Sequence, residues 1–563
     1  MTLLSDHILL LCALARLSHG QNCPLLGPAY PPITDPASSQ ILHAAKAVVD
    51  EGIAQILSSP QFGNSAASFS IQVFSLYSDE PIYEYYHTNV FGTNTSLAEN
   101  HSVGPETLYR IASISKVVSV YAILARISDK YWNEPVTKYV PELEAAAGNQ
   151  PSNAVDSARW SEVTLGAVAS HMSGIGSRYA FGDLSTIIPS GTPGLPDLNE
   201  TDTIQCGAVA RTCTRAESME MILRKQPVFP SYQSPAYSDM AFQLLAYAIE
   251  NITGQQFATL VEDELLKPLG LTRTFLSTPT NDSNAVIVDG WTADFGDLAP
   301  TGGYIQSIAD LSKLGKSILD SSLLSPQATR KWLKPISHTA NPSVSVGRPW
   351  EILRLNVPVS STSSTTRLVD VYSKGGAFAQ YFSLLSLSPD HSMGIALLTA
   401  GPSAEPIRQA LQQLLTTTWV AAGEHAAREH ARVNFAGNYT LPDNSSAEIT
   451  LLPNEPALFL ASLVSNGTDM LAFVGGLVSP GSAAGIKGWL YPTTLAESNR
   501  LAFRAVYGRL GQPAGEMCGS WAVIDGIRYG GNPADLFIFK VGDDGRAKAI
   551  EIPILKKTLR RTE

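Results

Sequence analysis

The stretch Tyr109-Arg-Ile-Ala-Ser-Ile-Ser-Lys116, continued by Val117-Val-Ser-Val-Tyr-Ala-Ile-Leu124, decides how this chain is read. The apolar run predicts a buried helix beginning near Ser113. Ser113 and Lys116 then lie on one helix face, because residues three apart are neighbours there. They form the only S-x-x-K of the chain. A serine hydroxyl is a poor nucleophile until a base takes its proton, and an amine serves as that base only when neutral. Burial and a second nearby cation both favour a neutral amine. A helix N-terminus adds partial positive charge and N–H donors. The arrangement suits acyl transfer through an acyl-serine. The plain alternative is a helix that happens to carry a serine and a lysine, so the rest of the chain has to decide.

Length and composition set the frame. A chain of 563 residues, 44% of them hydrophobic, predicts two domains with a sizeable core. The formal net charge is -11. The one basic cluster is Lys556-Lys557-Thr-Leu-Arg560-Arg561, read as a solvated tail, so no nucleic-acid partner is expected. Ile8–Ala15 is an apolar core followed by Ser18-His19-Gly20, which predicts a signal peptide over residues 1–20 and a secreted protein. Asp6 and Arg16 make that signal atypical. No apolar stretch reaches the ~20 residues a membrane span needs. Eight N-x-[ST] sequons, at Asn94, Asn100, Asn199, Asn251, Asn281, Asn438, Asn444 and Asn466, are expected glycosylation sites. Removing the leader removes Cys12 and leaves Cys23, Cys206, Cys213 and Cys518. An oxidising compartment allows two disulfides, with three connectivities. The short Cys206–Cys213 loop can fold back on itself, and pairing there leaves Cys23 with Cys518. No C-x-x-C or close His pair points to zinc.

Periodicity organises the chain. Residues 21–36 are Pro-rich and read as an extended arm. Ser39–Leu57 has helical spacing, and Ser68–Tyr77 with Ile82–Tyr86 reads as a hairpin. Ile188–Asn199 is a Gly/Pro-rich loop. A helix follows from about Met240 to Glu250, and strands return at Tyr381–Leu387 and Gly394–Leu398. Ala421–His430 reads as a polar bridge, which bounds a catalytic domain over residues 21–425. Beyond it, Ala447–Leu451, Ala457–Val464, Leu471–Val474, Leu536–Lys540 and Ala549–Ile554 predict an all-β domain over 426–563, a barrel or sandwich.

Two further clusters accompany Ser113. Tyr237-Ser-Asp239 stands just before the Met240 helix, where a tyrosine can exchange protons with Lys116 and a leaving group; the plainer reading is a helix cap by Ser238 or Asp239. Tyr131-Trp-Asn133 has a similar form but lies in a turn and reads as packing. Tyr372-Ser-Lys374-Gly375-Gly376-Ala377 precedes a strand-like run, and its glycines let backbone approach a substrate closely; the plainer reading is a solvated turn.

In order, Ser113-x-x-Lys116, Tyr237-x-Asp239 and Lys374-Gly-Gly376 resemble the three motifs of serine β-lactamases and penicillin-binding proteins, above all the class C, esterase and D-aminopeptidase branch. Thr164–Ile175, ending His171-Met-Ser-Gly-Ile, is similar to a further segment of that family. So are Pro300-Thr-Gly-Gly-Tyr304 and Ser307-Ile-Ala-Asp-Leu311. The likeness covers roughly residues 40–415, and the arm at Cys23 and the sequons look like secreted fungal members.

The resemblance implies an α/β (α+β type) fold: an antiparallel sheet flanked by helices, carrying the C-terminal β domain. It implies Ser113 as nucleophile, with Lys116 and Tyr237 sharing base and acid work. Lys374 would supply positive potential that attracts a substrate carboxylate. The N–H groups of Ser113 and Ala377 would form an oxyanion hole, with Asp239, Gly375 and Gly376 also facing substrate. No metal and no organic cofactor are implied. Two departures matter. Asp239 replaces an asparagine and cannot donate a hydrogen bond when ionised. Gly375 replaces a hydroxyl residue. The expectation is a serine hydrolase acting on an ester or amide of a small molecule or peptide rather than on antibiotics. An acyltransferase tailoring a natural product and a catalytically silent binding protein on the same scaffold are the alternatives. An α/β-hydrolase is disfavoured, since G-x-S-x-G is absent.

Overall fold

The hairpin Ser68–Ser75/Tyr83–His87 begins an eight-stranded antiparallel sheet. Met393–Ala400 pairs with Ser68–Ser75, and Tyr381–Ser388, Thr366–Phe378, Glu351–Pro358, Val344–Val346 and Ser337–His338 follow outward in that order. This is a computed structural model describing residues 24–562, except 61, 63–66, 90–101, 149–152, 180–181, 208–210, 280–283, 479–484 and 511–517. The expected signal peptide therefore lies outside the described residues.

The central strands are apolar on both faces because helices cover both. Phe69, Ile71, Val73, Ile395 and Leu397 pack on one side with Leu42, Val49, Leu411 and Trp419. Phe74, Ala396 and Leu398 point to the other side, among Val117, Ile123, Leu244 and Leu314. Strand residues alternate between faces, so this split is what the continuous apolar runs require. Gln40–Ser58 is a helix for local reasons as well. Ser39 Oγ accepts Leu42 N at 3.3 Å, and Leu42, Ala45, Val49 and Ile53 form its buried stripe. Among the described residues no helix is long and apolar enough to cross a membrane.

The C-terminal strands close into a barrel. The order is Ser445–Thr450, Gly437–Leu441, Lys557–Thr562, Ala547–Ile552, Leu536–Val541, Arg500–Arg509, Ile486–Glu497 and Leu458–Ser465. Leu458–Ser465 pairs back onto Ser445–Thr450, so eight strands form a closed ring without exposed edges.

Three sequence expectations are corrected here. The basic C-terminal cluster is not a solvated tail, since Lys557–Thr562 is a barrel strand paired on both sides with Leu559 buried. The supposed bridge Ala421–His430 is the end of one helix, Ala404–Asn434, that runs through the expected 425/426 boundary. Its alanines are contacts: Ala422 and Ala426 pack on the sheet side, while Ala427 and Ala431 pack into the barrel core. Leu471–Val474 belongs to the helix Met470–Val478 rather than to a strand. Asp469 Oδ1 accepts Leu471 N and Ala472 N at 2.9 and 3.1 Å, which caps that turn.

The long helix also carries a buried charge cluster. Glu424 accepts Arg367 NH2 at 2.6 Å and contacts His391 Nε2 at 2.9 Å, while Arg367 NH1 reaches Asp390 at 3.1 Å. Burial pushes the Glu424 carboxyl up, but Arg367 and His391 outweigh it and hold it at about 2, against an ordinary 4.5. A carboxyl depressed in the folded state adds stability above its unfolded value and loses it as pH falls through the folded one. Stability should therefore fall between about pH 4.5 and about 2. Glu424→Gln should flatten that part of the slope and cost about 3 kcal/mol at neutral pH, since it removes the buried carboxylate paired with Arg367 and leaves Asp390 as that guanidinium's remaining charge partner. Denaturant titrations at stepped pH measure both, and an unchanged acid slope in the variant contradicts this account.

Candidate active site

Ser113 sits in a single turn, Ala112–Ile114, that feeds directly into the helix Ser115–Ile127. The turn is held from outside. Ile111 N donates to Tyr304 O at 3.1 Å, and Ser115 Oγ bridges Ala112 O at 2.6 Å and Tyr304 N at 3.1 Å. Ala112 has φ 44, a left-handed conformation that costs a non-glycine residue energy and persists only where neighbours enforce it.

Lys116 is fully buried. Its Nζ lies 3.2 Å from Ser113 Oγ, 2.6 Å from Asp239 Oδ1 and 2.7 Å from Thr301 O. An ammonium has three N–H donors, and here three acceptors meet them. Tyr237 OH hydrogen-bonds Ser113 Oγ at 2.7 Å. Its ring centroid is 5.0 Å from Lys116 Nζ and 5.1 Å from Lys374 Nζ. Burial would raise the Tyr237 phenol, but the two lysine charges outweigh it and bring it below its ordinary value. Ser238 does cap the next helix, accepting Ala241 N at 3.1 Å. Ser238 thus caps the helix while its neighbour Tyr237 reaches Ser113.

Lys374 is not a turn residue. It lies inside the strand Thr366–Phe378 and is buried. Gly376 is required there: a Cβ would come within 2.3 Å of Ile111 O and of Ser383 Oγ, and 3.1 Å from Ser113 N. The missing side chain is what lets this strand lie against the Ser113 turn. Ser113 and Ala377 face one cavity of about 710 Å³, with Asp239, Arg178, Met240, Phe295 and Phe378 in its wall.

The structure brings together all four expected catalytic residues and adds four that sequence reasoning left without a role. Glu351 accepts Lys374 Nζ at 2.6 Å and Gly375 N at 3.0 Å. Burial would lower Lys374, but Glu351 beside it holds it above the ordinary range. Arg178 Nε pairs with Asp239 Oδ2 at 2.8 Å. Burial favours the neutral Asp239 carboxyl, yet Lys116 and Arg178 overcome that and depress it. Thr301 supplies its carbonyl. His171 stacks on Tyr237 at 4.4 Å between ring centroids. It also brackets Tyr237 on both sides: Ala236 N donates to His171 O at 2.8 Å and Ser238 N to its Nδ1 at 3.2 Å. Burial, reinforced by Lys116 and Lys374, pushes the His171 imidazole well down, so it packs as a neutral ring. His171 and Thr301 carried a sequence signal, within the His-Met-Ser-Gly and Pro-Thr-Gly-Gly segments; Glu351 and Arg178 carried none.

Cys206 and Cys213 are bonded, with Cα atoms 5.0 Å apart. Thr212 and Cys213 face a small recess shared with Tyr179, Phe295 and Phe378 of the cavity wall, so this loop stands beside the site. Cys23 lies outside the described residues. Cys518 is disulfide-bonded, and Ser520 Oγ donates to Pro24 O at 3.2 Å, joining the N-terminal arm to the barrel region. Asn199, Asn251, Asn438, Asn444 and Asn466 are exposed; Asn94, Asn100 and Asn281 lie outside the described residues.

The Beta-lactamase family model matches residues 76–418. The chain belongs to that family. This β-lactamase-family chain also matches, over residues 427–563, a model described as "Beta-lactamase-like-like, C-terminal domain". It is 31% identical over 544 residues to a "Beta-lactamase-like protein" of Arthroderma benhamiae, covering 87% of each chain. It is 26% identical over 522 residues to the "Probable hydrolase M10" of a Phoma species, covering 86% of this chain and 83% of the relative. Among solved structures it is similar to a β-lactamase/D-alanine carboxypeptidase from Yersinia pestis, at 19% identity and a TM-score of 0.47. That likeness covers 67% of this chain and 100% of the other. The β-lactamase-family assignment agrees with the fold and with a hydrolase.

Proposed function

We propose that this β-lactamase-family protein is a secreted serine hydrolase that cleaves an ester or amide of a small molecule or peptide through an acyl-Ser113 intermediate. The observation that carries this reading is the 2.7 Å contact of Tyr237 OH with Ser113 Oγ, made beside two lysine ammonium groups. Lys116 has a full set of acceptors, so it acts as the cationic donor and Tyr237 as the proton acceptor. The Tyr237 phenolate takes the Ser113 proton as Oγ attacks the carbonyl carbon. The oxyanion forms between the N–H groups of Ser113 and Ala377. Tyr237 then returns the proton to the departing alcohol or amine, and water repeats the sequence to release the acid. The leader expected from the sequence, five exposed sequon asparagines and the Cys206–Cys213 bond support export.

The pH dependence follows from the same groups. The active form is the phenolate, so kcat/KM rises with pH through the Tyr237 pKa, which lies below the ordinary phenol value of 10. Asp239 is a negative charge that opposes this depression. Asp239→Asn should therefore lower the phenol further and move the ascending limb to lower pH. The variant also restores a side-chain N–H donor, so the ratio of ester to lactam cleavage should fall. Full pH profiles on one ester and one chromogenic cephalosporin test both. An ascending limb that moves to higher pH would show that Tyr237 is not the group titrating.

A further inference from the structure

Among the described residues, Arg178 in the cavity lining and the buried Lys116 and Lys374 beside it are each paired with a carboxylate of the chain. Lys116 Nζ and Arg178 Nε share Asp239, at 2.6 and 2.8 Å. The Lys374 side chain is 1% exposed and holds Glu351 at 2.6 Å. The second Glu351 oxygen takes the Gly375 N–H. The group expected to attract a substrate carboxylate is thus occupied by a carboxylate of the protein. Asp289 adds another negative charge on the exposed rim. In the cavity lining an entering anion finds Arg178 already paired and faces Asp239 and Asp289, while the Arg110 guanidinium is screened from it by the phenylalanines. A cation has only Asp289, and an exposed pair of that kind contributes little.

The opposite wall is apolar. Phe295, Phe378, Phe382 and Leu298 line it. Phe295 and Phe378 meet edge-to-face at 4.8 Å. Behind them the Arg110 guanidinium sits 5.4 and 5.9 Å from the two ring centroids. It is anchored on Trp291 O at 2.9 Å and Ala293 O at 2.6 Å, so the rings rest on a fixed support.

We infer that the substrate is uncharged and carries a large apolar or aromatic group that packs on the Phe295–Phe378–Phe382 wall. This rests on the serine-hydrolase reading and narrows it. The preference is written into the chain twice, by Glu351 closing off Lys374 and by the phenylalanines.

The test uses the full-length protein and p-nitrophenyl esters, with each kcat/KM divided by the hydroxide-catalysed rate. In one series the acyl group grows from acetate to hexanoate. In the other it is a benzoate bearing a para methyl, carboxylate or ammoniomethyl group. Each added methylene that is buried should raise kcat/KM about three- to fourfold. The methyl benzoate should exceed both charged ones by at least about tenfold. Phe378→Ala should erase the chain-length gain, and Glu351→Gln should raise the carboxylate-to-methyl ratio about tenfold whatever its overall rate. A flat acyl series, or a charged benzoate equal to or better than the para-methyl benzoate, overturns the inference. The wild-type series decides this even if a variant fails to fold. Absence of turnover on every ester together with an unlabelled Ser113 would instead overturn the hydrolase reading.

Discussion

Ser113→Ala is expected to lower ester turnover by about 10⁴-fold or more, to background, and to abolish labelling by a fluorophosphonate. In sites where a serine and its base act as a unit, loss of the nucleophile alone removes most of the catalytic effect. The substitution removes one atom, Oγ, whose partners are Tyr237 OH and Lys116 Nζ. The turn itself is held by Ser115, Ile111 and Tyr304, none of which is touched, so the melting temperature should move by only a few degrees. Labelling at the wild-type rate in the alanine variant would assign the nucleophile elsewhere.

Tyr237→Phe should reduce kcat by about 10²–10⁴, the range for removing a positioned proton-transfer group. The phenyl ring keeps the stack on His171 at 4.4 Å, and the flanking bonds of Ala236 N and Ser238 N to His171 involve no Tyr237 side-chain atom. The loss should therefore appear in chemistry, with the fold retained. The ascending limb of the pH profile should vanish or be replaced by one of different position. Stopped-flow acylation with a p-nitrophenyl ester measures it directly. Near-normal acylation in the phenylalanine variant would move the base role to another residue.

The four central side chains were legible because each belongs to a short local pattern: a serine and lysine one turn apart, a tyrosine ahead of a helix, a lysine followed by glycines. Their partners were not. Glu351 reaches Lys374 only because its strand pairs in register, with Glu351 opposite Ser373. Arg178 reaches Asp239 across 61 positions, and Thr301 contributes a carbonyl that its residue type does not advertise. The barrel was legible from its turn-punctuated β-runs; Ile486–Glu497 and Arg500–Arg509 were not among them, although Leu501, Phe503, Ala505 and Tyr507 alternate along the second. Ala404–Asn434 misleads for a physical reason. Its first half packs Ile407, Leu411, Leu415 and Trp419 on the sheet, but from Ala421 on it is gripped by sheet and barrel through small alanines and one buried carboxylate, Glu424. Such a composition looks like a solvated connector until both partners are in place.

The central claim is that Ser113 becomes acylated by a substrate carbonyl. The most direct measurement is intact mass after rapid acid quench of the protein with excess p-nitrophenyl ester, followed by peptide mapping. The account predicts one added acyl mass per chain, carried on the peptide containing Ser113, present in the wild type and absent in Ser113→Ala. Turnover of the ester without any acyl adduct, or an adduct mapped to a different residue, would contradict it.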